Sequence, residues 1–332
     1  MPFRKGLYIT ILLLTASFTG CERDPISPEP LPEPRDLTLQ EVLKKPNLKV
    51  LDIGNSYTNG AVAFLPQIVK TSDVDVSDMC LYKLVRGSAS FKNWCDVYDD
   101  KDTGSYSFSH VVGDLEIPIQ AMKGTAGDGS VFRSVLTDVE WDVIIIHQYS
   151  KYAPYYEDWR GHGAGGYLNE FLRIIKDNQP NAHIGFLLIH SYWDAYQGNT
   201  EQSSYLRWDK IAQSVKRVTE EYAIDYVIPY GTAVENIRKS SFNNEFDMTT
   251  DGSHCGRGLC RYTASCCYYE SLLAPRTGVS CYGNAYRYEA TGIDGDFPAI
   301  SVSDANALLA QTAAVKAVTD MFHCNNPEHG LN

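Results

Sequence analysis

The sequence contains no block of basic residues. Its 332 residues include 29 Lys and Arg against 41 Asp and Glu, which gives a formal net charge of -12 at pH 7. Binding to nucleic-acid backbones requires clustered Lys and Arg side chains, so this charge pattern argues against nucleic acid as a partner. Hydrophobic residues make up 44% of the chain and charged residues 21%, which is ordinary for a globular protein.

The chain also lacks an apolar run that would span a membrane comfortably. The run over residues 7–20 follows a short basic start and ends at Cys21, whereas a span needs about 20 apolar residues. This order is typical of a secretory signal peptide, which we predict over residues 1–20. Thr19 and Gly20 before Cys21 resemble a bacterial lipobox, so we expect Cys21 to be lipidated. Ordinary secretion and an uncleaved anchor helix are the alternatives.

Residues 21–35 have too few apolar side chains to pack a core. They contain five prolines among several charges, which indicates an extended, semi-rigid tether. We predict that residues 36–332 form one domain behind this tether. The lipid anchor and tether together predict an exported protein attached to a bacterial membrane, at the outer membrane or the cell surface.

Two further patterns are missing. The chain has no Gly-x-Ser-x-Gly sequence, which argues against a nucleophile-elbow hydrolase. Cys255 and Cys260 are not spaced as in a zinc knuckle, and no second pair mirrors them, so we expect no metal. Export would permit disulfides, but eight cysteines besides Cys21 allow on the order of 100 pairings, and the sequence does not assign them.

Apolar runs with strand character alternate with amphipathic runs of helical spacing. Residues 141–150 and 182–192 are the clearest buried strands, and the final helix, over residues 301–322, has Ser303 or Asp304 as its cap. Residues 60–72 read as one helix, although Pro66 counts against its middle. Continuous apolar strands separated by helices predict a three-layer α/β/α domain with a central parallel sheet.

Polar residues follow the strands at the edge where such sheets bind ligands. They are Ser56 after the first strand, Gly87 after the second, Gln148 after the central strand, and Asp251 and His254 before a late helix. A serine hydrolase needs a nucleophile, a base and a carboxylate that orients the base. We predict these roles for Ser56, His254 and Asp251. The backbone N–H groups of Ser56 and Gly87 and the amide of Gln148 are the candidate oxyanion donors.

Each of these residues also has a simpler interpretation. Serine is a favoured N-cap, so Ser56 taken alone indicates a helix cap. An Asp-x-x-His pair in a polar loop is often solvated, and Gly87 alone is often a turn residue. The order and placement of the residues along the chain favour the catalytic interpretation.

The segments IGNSYT, VRGSAS, IIIHQYS and TDGSH resemble the four motifs of the SGNH, or GDSL-type, hydrolases. The resemblance implies a flavodoxin-like α/β/α fold and a serine esterase that works through an acyl-enzyme without a cofactor. Asn55 stands where the family usually has Asp, and Gln148 stands where it usually has an oxyanion Asn. The side chain of Gln148 carries the same amide group but is longer by one methylene group.

Tyrosine is abundant, with 22 in the chain. The tyrosines are dense near two strand ends, where we predict a substrate rim of Tyr149, Tyr152, Trp159, Tyr192 and Trp193. Flat aromatic rings suit sugar faces, although plain packing would also account for them. With export, the rim favours an esterase that removes O-acetyl groups from a polysaccharide or a small ester. The alternative is a non-catalytic glycan-binding surface lipoprotein with a degenerate hydrolase fold, which Gln148 would support.

Overall fold

The computed structural model describes residues 37–102, 104–118, 130–242 and 247–331. The predicted signal peptide (residues 1–20), the tether (residues 21–35) and Cys21 lie outside the described residues. Within those ranges, no helix combines the length and the apolar character that a membrane crossing requires.

A six-stranded sheet forms the centre of the fold. Its strands are β1 Leu48–Gly54, β2 Met79–Val85, β3 Ser107–Val112, β4 Val143–Ile146, β5 His183–Leu187 and β6 Tyr226–Ile228, and a separate hairpin consists of β7 Ile293–Asp294 and β8 Phe297–Pro298. The order across the sheet is β3-β2-β1-β4-β5-β6. Every neighbouring pair is parallel except β2 and β3, which are antiparallel. The five parallel strands have the flavodoxin order, and the edge strand β3 is an addition to the predicted parallel sheet.

The helices of the described residues form two layers. They are α1 Leu39–Lys44, α2 Ser56–Ala61, α3 Leu65–Ser72, α4 Phe91–Tyr98, α5 Ser130–Thr137, α6 Tyr156–Trp159, α7 Leu168–Asn178, α8 Ser204–Glu221, α9 Tyr230–Arg238, α10 Leu259–Leu272, α11 Ala274–Thr277 and α12 Asp304–Thr319, with a 3₁₀ helix at Pro327–His329. One group packs around α10, which contacts α2, α3, α9 and α12, while α4 packs against α5 and α7. The predicted three-layer fold is therefore confirmed.

Two local expectations are refined by the structure. The single helix predicted over residues 60–72 is divided between α2 and α3, and Pro66 lies in the first turn of α3, where a missing N–H is tolerated. Ser303, rather than Asp304, caps α12, because its side chain accepts a hydrogen bond from the amide of Asn306.

The strand order places the site between β1 and β4. The chain proceeds from β1 toward β2 on one side, and β4 continues toward β5 on the other. The carboxyl ends of two such strands border a crevice that open α/β sheets use for ligands. Ser56 follows β1, and Gln148 follows β4.

Candidate active site

Ser56 is the first residue of α2, and Asn55 is the residue that caps this helix. The Asn55 side chain accepts a hydrogen bond from the amide of Tyr57 at 3.0 Å and donates one to the carbonyl of Ala89 at 3.0 Å. Asn55 is fully buried. The capping role that the sequence left open for Ser56 therefore belongs to Asn55, and the Ser56 hydroxyl is directed elsewhere.

Gly54 is required by the tight approach of β1 to β4. A Cβ at this position would overlap His147 Nε2 and Thr58 Oγ1. His147 is buried, and its Nε2 accepts a hydrogen bond from the amide of Asn55 at 3.3 Å. Its Nδ1 lies 3.0 Å from the carbonyl of Gln148. This imidazole thus ties the turn that carries Ser56 to the end of β4.

The structure brings Ser56, His254 and Asp251 together. Ser56 Oγ lies 3.0 Å from His254 Nε2, and His254 Nδ1 lies 2.7 Å from Asp251 Oδ2. The side chains of His254 and Asp251 are about two-fifths exposed, at 41% and 38%. His254 is therefore within hydrogen-bond reach of the Ser56 hydroxyl, and the Asp251 carboxylate orients the imidazole, which is the geometry that serine hydrolysis needs.

Asp251 is held as a carboxylate by its own loop. Its Oδ1 accepts hydrogen bonds from the amides of Ser253 at 2.9 Å and His254 at 2.8 Å. Partial burial opposes ionisation, but these amides and the His254 ring lower the pKa of Asp251 below its ordinary value. An ionised Asp251 fixes the tautomer of His254 that leaves Nε2 free to accept a proton.

The loop that carries His254 rests on two buried aromatic side chains. The carbonyl of Ser253 accepts hydrogen bonds from Tyr57 OH at 2.6 Å and from His190 Nε2 at 2.8 Å. The rings of Tyr57 and His190 stack with their centroids 4.7 Å apart. Tyr230 OH lies 3.1 Å from His190 Nδ1. Together these contacts fix the position of the loop that carries His254 relative to the sheet.

A buried carboxyl lies beneath the nucleophile turn. Asp52 in β1 accepts a hydrogen bond from Tyr268 OH at 2.6 Å and from Thr58 Oγ1 at 3.0 Å. Burial raises the pKa of Asp52 to about 6, against the opposing effect of these hydrogen bonds. Burial lowers the pKa of the neighbouring His147 to about 4. His147 is therefore neutral at pH 7 and serves as an acceptor for the Asn55 amide.

The candidate oxyanion donors differ in how they are placed. Gly87 lies in an exposed turn beside the end of β1, because the amide of Arg86 donates to the carbonyl of Gly54 at 3.1 Å. Gln148 is buried; its Nε2 donates to the carbonyl of Gly165 at 2.8 Å, and its Oε1 accepts from the amide of Tyr149 at 2.8 Å. One N–H of the Gln148 amide is thus committed to the loop around Gly165, and the second is the remaining donor.

Two residues of the predicted rim belong to the core. Trp159 is fully buried; it stacks on Phe186 with centroids 5.6 Å apart, and its indole N–H donates to the carbonyl of Tyr152. Tyr192 is buried, and the Arg207 guanidinium lies 3.9 Å from its ring centroid. Their assignment to the rim is wrong, because each ring is covered by tertiary contacts.

The other three predicted rim residues are partly exposed. Tyr149 and Tyr152 pack edge to face with centroids 5.7 Å apart. The amide of Trp193 donates to the carbonyl of Gly252 at 2.8 Å, so Trp193 is attached to the loop that carries Asp251 and His254. Its ring packs against Phe297 of the β7–β8 hairpin, with the two ring centroids 5.0 Å apart. Phe297 is a neighbour that the sequence did not indicate.

The supporting contacts of Tyr57, His147 and His190 could not be predicted from the sequence. Tyr57 directly follows Ser56, and His147 and His190 end strands, so their positions were visible in the sequence. Their roles depend on contacts with the backbone of Asn55 and Ser253, which no local pattern reveals. Among the described residues, no group of three or more His, Cys, Asp or Glu is arranged to hold a metal ion.

Comparison with known proteins assigns the family. The model of the family described as "Domain of unknown function (DUF4886)" matches residues 49–314, and no curated protein matches the chain. A DUF4886 family protein from Bacteroides uniformis ATCC 8492 has a solved structure that is 21% identical with a TM-score of 0.67; the alignment covers 85% of this chain and 98% of that chain. This likeness shows a shared fold.

Two other solved structures are more distant. A protein from Slackia heliotrinireducens, provisionally named an SGNH hydrolase, is 12% identical with a TM-score of 0.42, over 67% of this chain and 97% of that chain. BT4096, a gut microbial diltiazem-metabolizing enzyme, is 11% identical with a TM-score of 0.38, over 85% of this chain and 64% of that chain. Neither likeness is close enough to bear on function. Because the family model spans most of its length, the chain belongs to the DUF4886 family.

Proposed function

We propose that this protein is a serine esterase of the SGNH type that removes acyl groups, O-acetyl in particular, from carbohydrates. The observation that carries the proposal is the hydrogen-bonded series Ser56 Oγ, His254 Nε2, His254 Nδ1 and Asp251 Oδ2, with separations of 3.0 and 2.7 Å. These groups lie at the carboxyl edge of an α/β sheet, where such folds bind ligands. The partly exposed rings of Tyr149, Tyr152 and Trp193 favour a sugar as the acyl carrier.

The proposed reaction has two steps. Ser56 Oγ attacks the ester carbonyl while His254 Nε2 takes the hydroxyl proton, and the proton then passes to the departing sugar oxygen. Water, activated by His254, cleaves the acyl-enzyme and regenerates the Ser56 hydroxyl. Asp251 stabilises the imidazolium that forms in each step. The backbone amides of Ser56 and Gly87 and the remaining N–H of Gln148 are the proposed donors to the oxyanion.

The proposal is tested by hydrolysis of 4-nitrophenyl acetate and of a panel of acetylated polysaccharides. We expect the wild type to release acetate and both Ser56→Ala and His254→Ala to lose about 10³-fold or more in kcat. A fluorophosphonate should label the wild type at Ser56. Ser303→Ala, which removes the cap of α12, a helix that contributes no residue to the triad, is the matched serine control and should keep its activity.

The second candidate is a glycan-binding protein without catalysis. The bond from Gln148 Nε2 to the carbonyl of Gly165 favours it, because that N–H is already engaged and cannot also bind an oxyanion. Glycan-array binding without acetate release, and with no fluorophosphonate label, would select this candidate. Ester hydrolysis that survives Ser56→Ala would refute the proposed triad.

A further inference from the structure

Two buried thiols lie directly behind the catalytic loop. Cys255 follows His254 in the chain, and Cys260 is in the first turn of α10; their Sγ atoms are 2.8 Å apart. Unbonded carbon atoms pack at about 3.5–4.0 Å, and sulfur is larger than carbon. A disulfide has its sulfur atoms about 2.0 Å apart. The two sulfur atoms are thus closer than packing contact, and a shift of less than about 1 Å would join them.

The pair lies where three parts of the site meet. A Cβ added at Gly60 in α2 would be 3.3 Å from Cys255 Cβ, and Cys255 Sγ is 3.7 Å from His190 Nδ1. Both cysteines are buried, with exposed fractions of 4% and 1%. We propose that Cys255 and Cys260 form a disulfide that fixes the loop carrying His254 to the start of α10.

The reactivity of the two thiols differs in a way that suits exchange. Burial opposes ionisation of Cys255, but the hydrogen bond from Cys260 and the nearby His190 lower the pKa of Cys255 well below its ordinary value. Burial and the contact with Cys255 raise the pKa of Cys260 well above its ordinary value. Cys255 is therefore the attacking thiolate and Cys260 the resolving thiol.

The oxidant is a low-molecular-weight disulfide such as oxidised glutathione. The Cys255 thiolate bonds to one glutathione sulfur and expels the other glutathione as a thiolate. Cys260 gives its proton to the expelled glutathione thiolate and then attacks the Cys255 sulfur, which releases the second glutathione as a thiolate. The two protein sulfur atoms are oxidised to a disulfide, and one glutathione disulfide is reduced to one thiol and one thiolate.

The bond is tested by peptide mapping of the full-length chain. The protein is equilibrated in buffers from fully reduced to fully oxidised glutathione, quenched, denatured with an alkylating reagent and digested with trypsin. Cleavage after Arg257 and Arg261 separates Cys255 (residues 240–257) from Cys260 (residues 258–261). We expect the two peptides to be recovered as one linked species that reduction separates. The peptides with Cys80 and Cys95 should carry the alkyl group.

Recovery of both peptides singly and alkylated in fully oxidised buffer would overturn the proposal, and so would linkage of either peptide to a different cysteine. A second measurement compares melting temperatures in oxidised and reduced buffer. The wild type and Cys80→Ser, the matched buried control, should melt about 2–6 °C higher when oxidised. Cys255→Ser and Cys260→Ser should show no such difference, and a difference that persists in both would contradict the assignment.

The effect on catalysis rests on the proposed function, whereas the mapping does not. If the esterase assignment holds, reduction of the wild type should lower kcat/KM about tenfold, since misplacement of a catalytic group by 1 Å can cost on the order of 10²-fold. A linked species in a protein without esterase activity would support the disulfide and refute the esterase. An active protein without the linked species would support the esterase and refute the disulfide.

Discussion

Gln148 lies at the end of β4 and is the one proposed oxyanion donor that is a side chain. Its amide donates one N–H to the carbonyl of Gly165 and has a second N–H to offer. If the second N–H binds the oxyanion, Gln148→Ala should lower kcat by about 10²–10³-fold with little change in KM. Rates on 4-nitrophenyl acetate measure this directly.

Gln148→Ala also removes the acceptor for the amide of Tyr149, so a second variant is needed to test the N–H donors alone. Gln148→Glu retains the acceptor for the amide of Tyr149 but removes the N–H donors. We expect it to lose as much activity as Gln148→Ala. Activity near that of the wild type in both variants would show that the backbone amides of Ser56 and Gly87 suffice for the oxyanion.

Asp52 and His147 should shape the pH dependence of stability in opposite directions. Burial raises the pKa of Asp52 from 3.8 to about 6, so its contribution to the free energy of unfolding is full below pH 3.8 and is lost as the pH rises through 6. Burial lowers the pKa of His147 from 6.5 to about 4. Its contribution is full above pH 6.5 and is lost as the pH falls through 4. Between pH 4 and 6, the loss of the Asp52 contribution with rising pH nearly cancels the gain of the His147 contribution.

Asp52→Asn should expose the contribution of His147. Relative to the wild type, the free energy of unfolding of this variant should rise by about 1.4 kcal/mol per pH unit between pH 4 and 6. Urea denaturation at several pH values measures this slope, since all other carboxyl groups are common to both proteins. Parallel profiles for the two proteins would show that Asp52 does not titrate in this window.

At the level of elements, the passage from β1 into α2 depends on Gly54. Gly54→Ala should destabilise the fold by about 1–3 kcal/mol, because the added methyl group overlaps His147 and Thr58. It should also lower kcat by displacing Ser56. Gly87→Ala is the matched control for stability, since a Cβ at Gly87 meets no atom within 4 Å. Equal denaturation midpoints for the two variants would contradict this interpretation.

Elements with continuous apolar runs could be predicted from the sequence. β4 is four β-branched residues, and all of them are buried. β3 could not be predicted, because only Phe108 and Val112 of its six residues are buried, and its sequence has neither a continuous apolar run nor a regular alternation. Its antiparallel pairing with β2 is determined by tertiary contacts. The break between α2 and α3 was signalled by Pro66, but its position depends on packing against α10.

For the molecule as a whole, chain order was a better guide to the site than residue type. Ser56, Asp251 and His254 could be placed together because the carboxyl ends of parallel strands share one edge. The rim could not be predicted in the same way, because an aromatic residue near a strand end can face either solvent or core. Trp159 shows this, since its burial depends on Phe186 in β5.

The proposed position of the protein in the cell depends on residues ahead of the described domain. We propose that Cys21 is lipidated and that residues 21–35 hold the domain off a bacterial membrane. Cys21→Ser should then move the protein from the membrane fraction to the soluble fraction and abolish labelling by an alkyne fatty acid, because the acyl chains supply the membrane affinity. Cys324→Ser, a partly buried cysteine near the other end of the chain, should leave both unchanged. Membrane retention of the Cys21→Ser variant would place the anchor elsewhere in the chain.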